Sequence, residues 1–215
     1  MEGRPPSRVA CSHPVEIQLG GMGSIHARLR DVGTGGVCVQ TPSPFALSSL
    51  RSVTLHLPGE SLTLDVEGCW QREATLERAM LTGLRFVRAT HEEREQMRKF
   101  VEQAAQELTH FLQNRSDLED LGLDEALDLA LASRLREAPT GTFICREGHP
   151  RVGDDSLFVV MRGSVTLAAS GAREHEIEVE RVVPGGVFGG VPLIADVPSP
   201  VSAVASTTTP PRVVH

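Results

Sequence analysis

Along residues 9–88, apolar and polar positions alternate in short runs. Val15-Glu16-Ile17-Gln18-Leu19 sends every second side chain to one face, the period of a half-buried strand. The same period runs through Ile25-His26-Ala27-Arg28-Leu29, Val53-Thr54-Leu55-His56-Leu57 and the longer Leu62-Thr63-Leu64-Asp65-Val66-Glu67-Gly68-Cys69-Trp70. Val37-Cys38-Val39 and Gly83-Leu84-Arg85-Phe86-Val87 complete the set. Between the runs stand Gly20-Gly21-Met22-Gly23, Gly35-Gly36, Pro42-Ser43-Pro44 and Pro58-Gly59, which turn or break the chain. Six or seven short strands at this spacing predict a compact barrel or sandwich.

From residue 90 the period changes. Thr90-His91-Glu92-Glu93 is a capping box, in which Thr90 and Glu93 satisfy each other's backbone N–H groups at a helix start. Met97, Val101, Ala104, Leu108 and Phe111 then recur at steps of four and three, a helical seam that Phe100 and Leu112 widen. Two uses of that seam are open: packing on its own domain, or a homodimer through helix 91–114. A second helical stretch is expected from Asp124, as N-cap, to Leu135, with Pro139 as its stop. Strands return at 142–145, 157–161, 164–167, 178–183 and 201–204. The expected architecture is mainly β with linking helices: a barrel over 1–90, a helical linker over 91–138 and a second β region over 139–215.

Composition narrows the function. A net charge of −7 disfavours a general nucleic-acid or anionic-membrane binder, though a local basic patch fits inside an acidic whole. One Trp, seven Phe and no Tyr offer few platforms for single-stranded nucleic acid. Cys11, Cys38, Cys69 and Cys145 have no metal-ligand spacing and read as reduced thiols. The polar start MEGRPPSR does not resemble a signal peptide, and no apolar run nears the ~20 residues of a membrane span, so a cytoplasmic protein is expected. No GxSxG, HExxH, P-loop or EF-hand pattern occurs, so no catalytic residue, metal or cofactor is predicted and the chain is not expected to be an enzyme. His149, His175 and the pair Asp154-Asp155 read as surface groups on turns.

One constellation suits an anion. Arg4 and Arg8 sit four apart on a Pro-rich N-terminal arm, and each guanidinium can grip a phosphate bidentately or stack on a base. Arg30-Asp31-Val32-Gly33-Thr34-Gly35-Gly36 joins two strands, with Asp31 as an acceptor, Thr34 as a hydroxyl and glycines that admit a ligand close to the backbone. Together these resemble a PilZ domain, the bacterial receptor module for cyclic di-GMP. Its Arg-x-x-x-Arg corresponds to Arg4-Pro5-Pro6-Ser7-Arg8 and its Asp/Asn-x-Ser-x-x-Gly to the segment from Asp31 to Gly36. Val66-Glu67-Gly68-Cys69-Trp70 and Gly83-Leu84-Arg85-Phe86 also fit. The resemblance implies a six- or seven-stranded barrel, cyclic di-GMP as ligand, and Arg4, Arg8, Asp31, Gly33, Thr34 and Gly36 as ligand-binding positions. Gly33 stands where the family carries Ser, so one hydroxyl contact is lost.

Residues 139–215 resemble a cyclic-nucleotide-binding β-roll of the cAMP-receptor type. The resemblance rests on Pro139-Thr140-Gly141-Thr142-Phe143, Leu157-Phe158-Val159-Val160-Met161-Arg162-Gly163 and Pro184-Gly185-Gly186-Val187-Phe188-Gly189-Gly190. The family's ribose-binding Glu and phosphate-binding Arg fall at Gly190 and Ser199, so the implied pocket is degenerate, with Gly189 and Gly190 left as a possible backbone nest. The roll is expected to be incomplete and to lack a DNA-binding module. The expected function is a second-messenger receptor that relays cyclic di-GMP binding to the helix and the second β domain, with a protein partner downstream. The alternative is a ligand-independent adaptor with two docking modules, and a cAMP or cGMP sensor comes third.

Overall fold

The computed structural model describes residues 8–21, 23–57, 60–74, 79–148, 156–171, 176–195, 197–206 and 212–214. The chain divides into two compact units, residues 1–109 with 127–134, and residues 110–126 with 135–215.

The first unit is an antiparallel barrel. Its strands are β1 (Val9–Ala10), β2 (Pro14–Leu19), β3 (Gly23–Gly33), β4 (Gly36–Thr41), β5 (Leu50–Leu57), β6 (Glu60–Ala74) and β7 (Ala79–Phe86). They run in the order β1-β3-β2-β5-β6-β7-β4, and β4 pairs back onto β3 to close a ring of six with β1 attached outside it. Closure removes the exposed edges an open sheet would carry. The alternation read from the sequence is the alternation observed: Val15, Ile17, Leu19, Val53, Leu55, Leu62, Leu64 and Val66 all enter one buried cluster.

The helix α1 (His91–Arg115) begins at the expected box. The Thr90 N–H donates to Glu93 Oε2 at 2.6 Å and the Glu93 N–H donates to Thr90 Oγ1 at 3.2 Å. Met97, Phe100, Val101, Ala104 and Ala105 join the barrel's own core. Met97, Val101 and Ala104 of the seam are therefore used within the unit. The helix α2 (Leu123–Ala132) departs from expectation at both ends. Its cap is Gly122, whose carbonyl accepts the Ala126 N–H at 2.9 Å and whose N–H donates to Glu125 Oε2 at 3.0 Å. Asp124 lies inside the first turn, and Leu135 belongs to a strand.

The second unit holds β8 (Leu135–Glu137), β9 (Phe143–Cys145), β10 (Leu157–Arg162), β11 (Val165–Ser170), β12 (Glu176–Val182), β13 (Val187–Gly189), α3 (Val191–Ala195), β14 (Ser202–Ala205) and β15 (Arg212–Val214). Two four-stranded sheets form, β13-β10-β15-β8 and β12-β11-β14-β9. Ile144, Phe158, Val160, Val165, Val182, Phe188 and Ala203 fill their core, with Phe158 and Phe188 stacked at 4.9 Å. The short β8, β13 and β15 gave no alternation to read, because a three-residue strand spans less than two periods.

Candidate anion-binding face

The site is built on one row of backbone pairing that crosses the barrel. Ala10 pairs Asp31, Asp31 pairs Cys38, Cys38 pairs Gly83 and Gly83 pairs Trp70. Residues in register on neighbouring strands share a face of the sheet. The row therefore aligns Asp31 on β3 with Trp70 on β6, with Cys38 on β4 and Gly83 on β7 between them.

Both end residues point outward because of β-bulges. Leu29 faces the core, and strict alternation would send Asp31 there too. A register shift between Leu29 and Asp31 flips the phase, so Val32 is buried while 33% of the Asp31 side chain is exposed. In β6, Leu62, Leu64 and Val66 face the core, and a second shift between Gly68 and Trp70 turns the indole out to 39% exposure. Bulges re-aim side chains in this way where a strand must present a group to solvent.

Around this row the charge is locally basic. Arg8 Nη1 donates to Asp31 Oδ1 at 2.7 Å. The Arg72 guanidinium lies 5.1 Å from the Trp70 ring centre, a cation–π contact. Arg30 is buried and donates to Gln40 Oε1 at 3.4 Å. Burial, with the Asp31 carboxylate second, pushes the Cys38 thiol up to about 12, while Arg8, Arg30 and Arg72 pull it down. Three guanidinium groups and one carboxylate thus act on a single point of the row. Burial likewise pushes the Cys11 thiol well up. Neither thiol is an anion at neutral pH, so neither opposes a negatively charged ligand.

The structure sorts the remaining candidates. A Cβ at Gly33 would stand 3.1 Å from Arg8 Cγ, so this glycine makes room for the arginine stem. A Cβ at Gly36 would stand 2.1 Å from the Leu84 carbonyl oxygen, so that glycine lets β4 close on β7. Thr34 is half-buried in the turn between β3 and β4. Arg4 lies outside the described residues, as do His149, His175, Asp154 and Asp155. Trp70 and Arg72 are the members of the face that sequence reasoning did not assign to a site. The available signal was a lone tryptophan two residues before an arginine in a strand.

In the second unit, Gly190 and Ser199, expected at a degenerate pocket, are each engaged by other residues of the unit. The Gly190 N–H donates to the Ser156 carbonyl at 3.3 Å, so that group is not open to an anion as a nest would require. Ser199 Oγ donates to the Val201 carbonyl at 2.7 Å, and the Ser199 carbonyl accepts the Gly148 N–H at 2.9 Å. Gly189 and Gly190 both hold positive φ, 82° and 78°, a conformation that strains any side chain placed there. The missing glutamate is thus a property of the backbone as well as of the side chain.

Residues 3–103 match the sequence model of the PilZ domain, and residues 135–210 match that of the cyclic nucleotide-binding domain. The chain is a PilZ domain followed by a cyclic nucleotide-binding domain. Solved structures similar to it carry the second fold. The regulatory domain of Toxoplasma gondii PKA with cAMP is 17% identical with a TM-score of 0.50, covering 96% of this chain and 68% of that one. A cyclic nucleotide-binding domain of Methylobacillus flagellatus KT is 20% identical, TM-score 0.42, covering 52% of this chain and 60% of that one. The sensor domain of the transcriptional regulator DNR of Pseudomonas aeruginosa is 19% identical, TM-score 0.44, covering 51% and 71%. The chain spans 60%, 48% and 47% of three such structures. No curated protein matches it. Both domains are of cyclic-nucleotide receptor types, regulatory rather than catalytic. Among the described residues no cluster of metal-ligand type occurs and no helix is long and apolar enough to cross a membrane.

Proposed function

We propose that the chain is a cyclic di-GMP receptor whose PilZ domain grips the dinucleotide on the face between Arg8 and Trp70. The observation that carries this reading is the backbone row that aligns Asp31 with Trp70. Each group has a distinct task. Arg8, with Arg4 from the same arm, supplies forks for the phosphates. Asp31 accepts from the N–H groups on a guanine edge. Trp70 offers a π-face to a base. Thr34 and the Gly33 backbone border the same turn, and Gly36 holds it in place.

Relay is proposed through α1. Its residues Met97, Phe100 and Val101 lie in the PilZ core, and the same helix continues past Thr109 into the second unit. Ligand that shifts the barrel's packing on α1 therefore acts on a covalently continuous element. The second domain is proposed as the output surface for a protein partner in the cytoplasm, since Gly190 and Ser199 replace the charged groups a cyclic nucleotide needs. That same loss favours a second reading, in which both domains dock on partners without any ligand.

Calorimetric titration of the purified chain separates the two. Saturable heat with cyclic di-GMP at micromolar concentration or below supports the receptor, and no heat at high concentration sinks it. The same titration with cAMP is expected to be silent.

A further inference from the structure

We infer that Gly83 is a seat for Trp70: the absent side chain at 83 lets the indole lie across β7 with its free part exposed to a base. The inference rests on the cyclic di-GMP reading above and assigns a positioning residue to that site. A Cβ on Gly83 would stand 2.3 Å from Trp70 Nε1, 2.4 Å from Cε2 and 2.9 Å from Cδ1. Real Cβ contacts essentially never fall under 3.0 Å. All three of the nearest atoms belong to the indole, so the space a side chain would take at 83 is filled by Trp70.

Backbone conformation does not explain the glycine. Gly83 is not among the glycines with positive φ, so the backbone conformation does not demand it. Gly36 shows the contrasting case, with its Cβ blocked by the Leu84 backbone. A glycine inside a strand also costs conformational entropy and gives up a cross-strand side-chain contact. Seating the ring is the compensating gain visible in the structure.

The seat works with two further contacts. Arg72 lies over the ring from its own strand at 5.1 Å. Next to the Trp70–Gly83 pair, Gln71 Nε2 donates to Thr82 Oγ1 at 3.0 Å and fixes the register of β6 on β7. A ring held this way is already ordered before ligand arrives, so less rotamer freedom is lost on binding. The chemistry that gains is a planar base presented beside phosphates, as in a purine dinucleotide.

Trp70 is the single tryptophan of the chain, so intrinsic fluorescence reports this ring alone. Gly83→Ala is expected to keep the circular dichroism of the barrel, red-shift the emission as the ring tips into water, and weaken cyclic di-GMP binding about tenfold, within the range for loss of one base stack. In a Trp70→Leu background the same substitution should cost nothing further. Arg72→Ala, which crowds no neighbour, should weaken binding in the same direction and also lose its effect in that background, and it carries the test if Gly83→Ala fails to fold. Unchanged emission, unchanged affinity, or equal losses with and without Trp70 would overturn the seat. No binding by the wild-type chain overturns the receptor reading itself, and the seat's role with it, which a titration of the wild type distinguishes at once.

Discussion

Arg8 Nη1 stands 2.7 Å from Asp31 Oδ1, and 46% and 33% of the two side chains remain exposed. An ion pair this open is worth about 0–1 kcal/mol, because water screens both charges. The pair therefore holds Arg8 at the face and opens for a ligand at little cost. Arg8→Ala should leave the melting temperature nearly unchanged and lower cyclic di-GMP affinity at least tenfold, since a hydrogen bond to a charged group is worth about 1.5–3 kcal/mol. Arg8→Lys should not restore binding, because an ammonium lacks the planar fork. A large loss of stability with Arg8→Ala would show that the pair is structural instead. Thermal melts beside calorimetry decide the matter.

Gly33 gives a sharper pair of variants. Gly33→Ser returns a hydroxyl to the turn while its Cβ presses on Arg8 Cγ at 3.1 Å. The Arg8 stem is long and exposed, so it yields, and binding should tighten by up to about tenfold. Gly33→Ala adds the same crowding without the hydroxyl and should leave binding nearly unchanged. If both variants move affinity the same way, crowding of Arg8 governs the site and the hydroxyl does not.

Gly36 lies three residues further on and should behave quite differently. Its Cβ would meet the Leu84 carbonyl oxygen at 2.1 Å, a backbone atom that cannot rotate away. Gly36→Ala should destabilise the barrel by about 3 kcal/mol or more, as expected when overpacking strikes a closed sheet. Urea unfolding measures it. A loss under about 1 kcal/mol would mean that β4 and β7 can separate there without cost.

The cap of α1 makes a pH-dependent contribution. Hydrogen bonds from the Thr90 backbone and side chain hold the Glu93 carboxyl below its ordinary value of 4.5. A depressed carboxyl contributes stability that is fully present above the unfolded value and is lost as pH falls through the folded one. Helix stability should therefore decline below about pH 4.5, and Glu93→Gln should flatten that part of the profile. Thr90→Ala should cost about 1 kcal/mol at neutral pH. Melts between pH 3 and 7, about the range in which carboxyls titrate, provide the test.

Much of the fold was legible in the chain. The runs at 15–19, 53–57 and 62–66 alternate, and their apolar members are the barrel core. The box at Thr90 and Glu93 is a local signal for a helix start, and it forms. The end of α2 was less legible. Ala132 and Leu135 suit a helix equally by composition, and pairing of Leu135 with Val214 draws the chain into a sheet instead. The seam from Met97 to Leu108 fits a coiled coil or a packed helix alike, and that Met97, Val101 and Ala104 enter the barrel core is visible only in the tertiary structure.

The anion-binding face divides in the same way. Asp31 and the glycine-rich turn are neighbours in one short motif and Arg8 stands in another, 23 residues earlier, and the family resemblance that joins the two motifs let the sequence set an acceptor and a guanidinium at one site. It determined nothing about Trp70 at their side. Strict alternation would bury both Asp31 and Trp70, in phase with Leu29 and with Val66. Two bulges reverse that phase, and closure of β3, β4, β7 and β6 sets the two residues on one row. A bulge is a decision between two strands: which residue is left unpaired depends on the partner's register and packing. The partner stands on another strand, Cys38 for Asp31 and Gly83 for Trp70, so the outward turn of both residues was settled only when the strands paired.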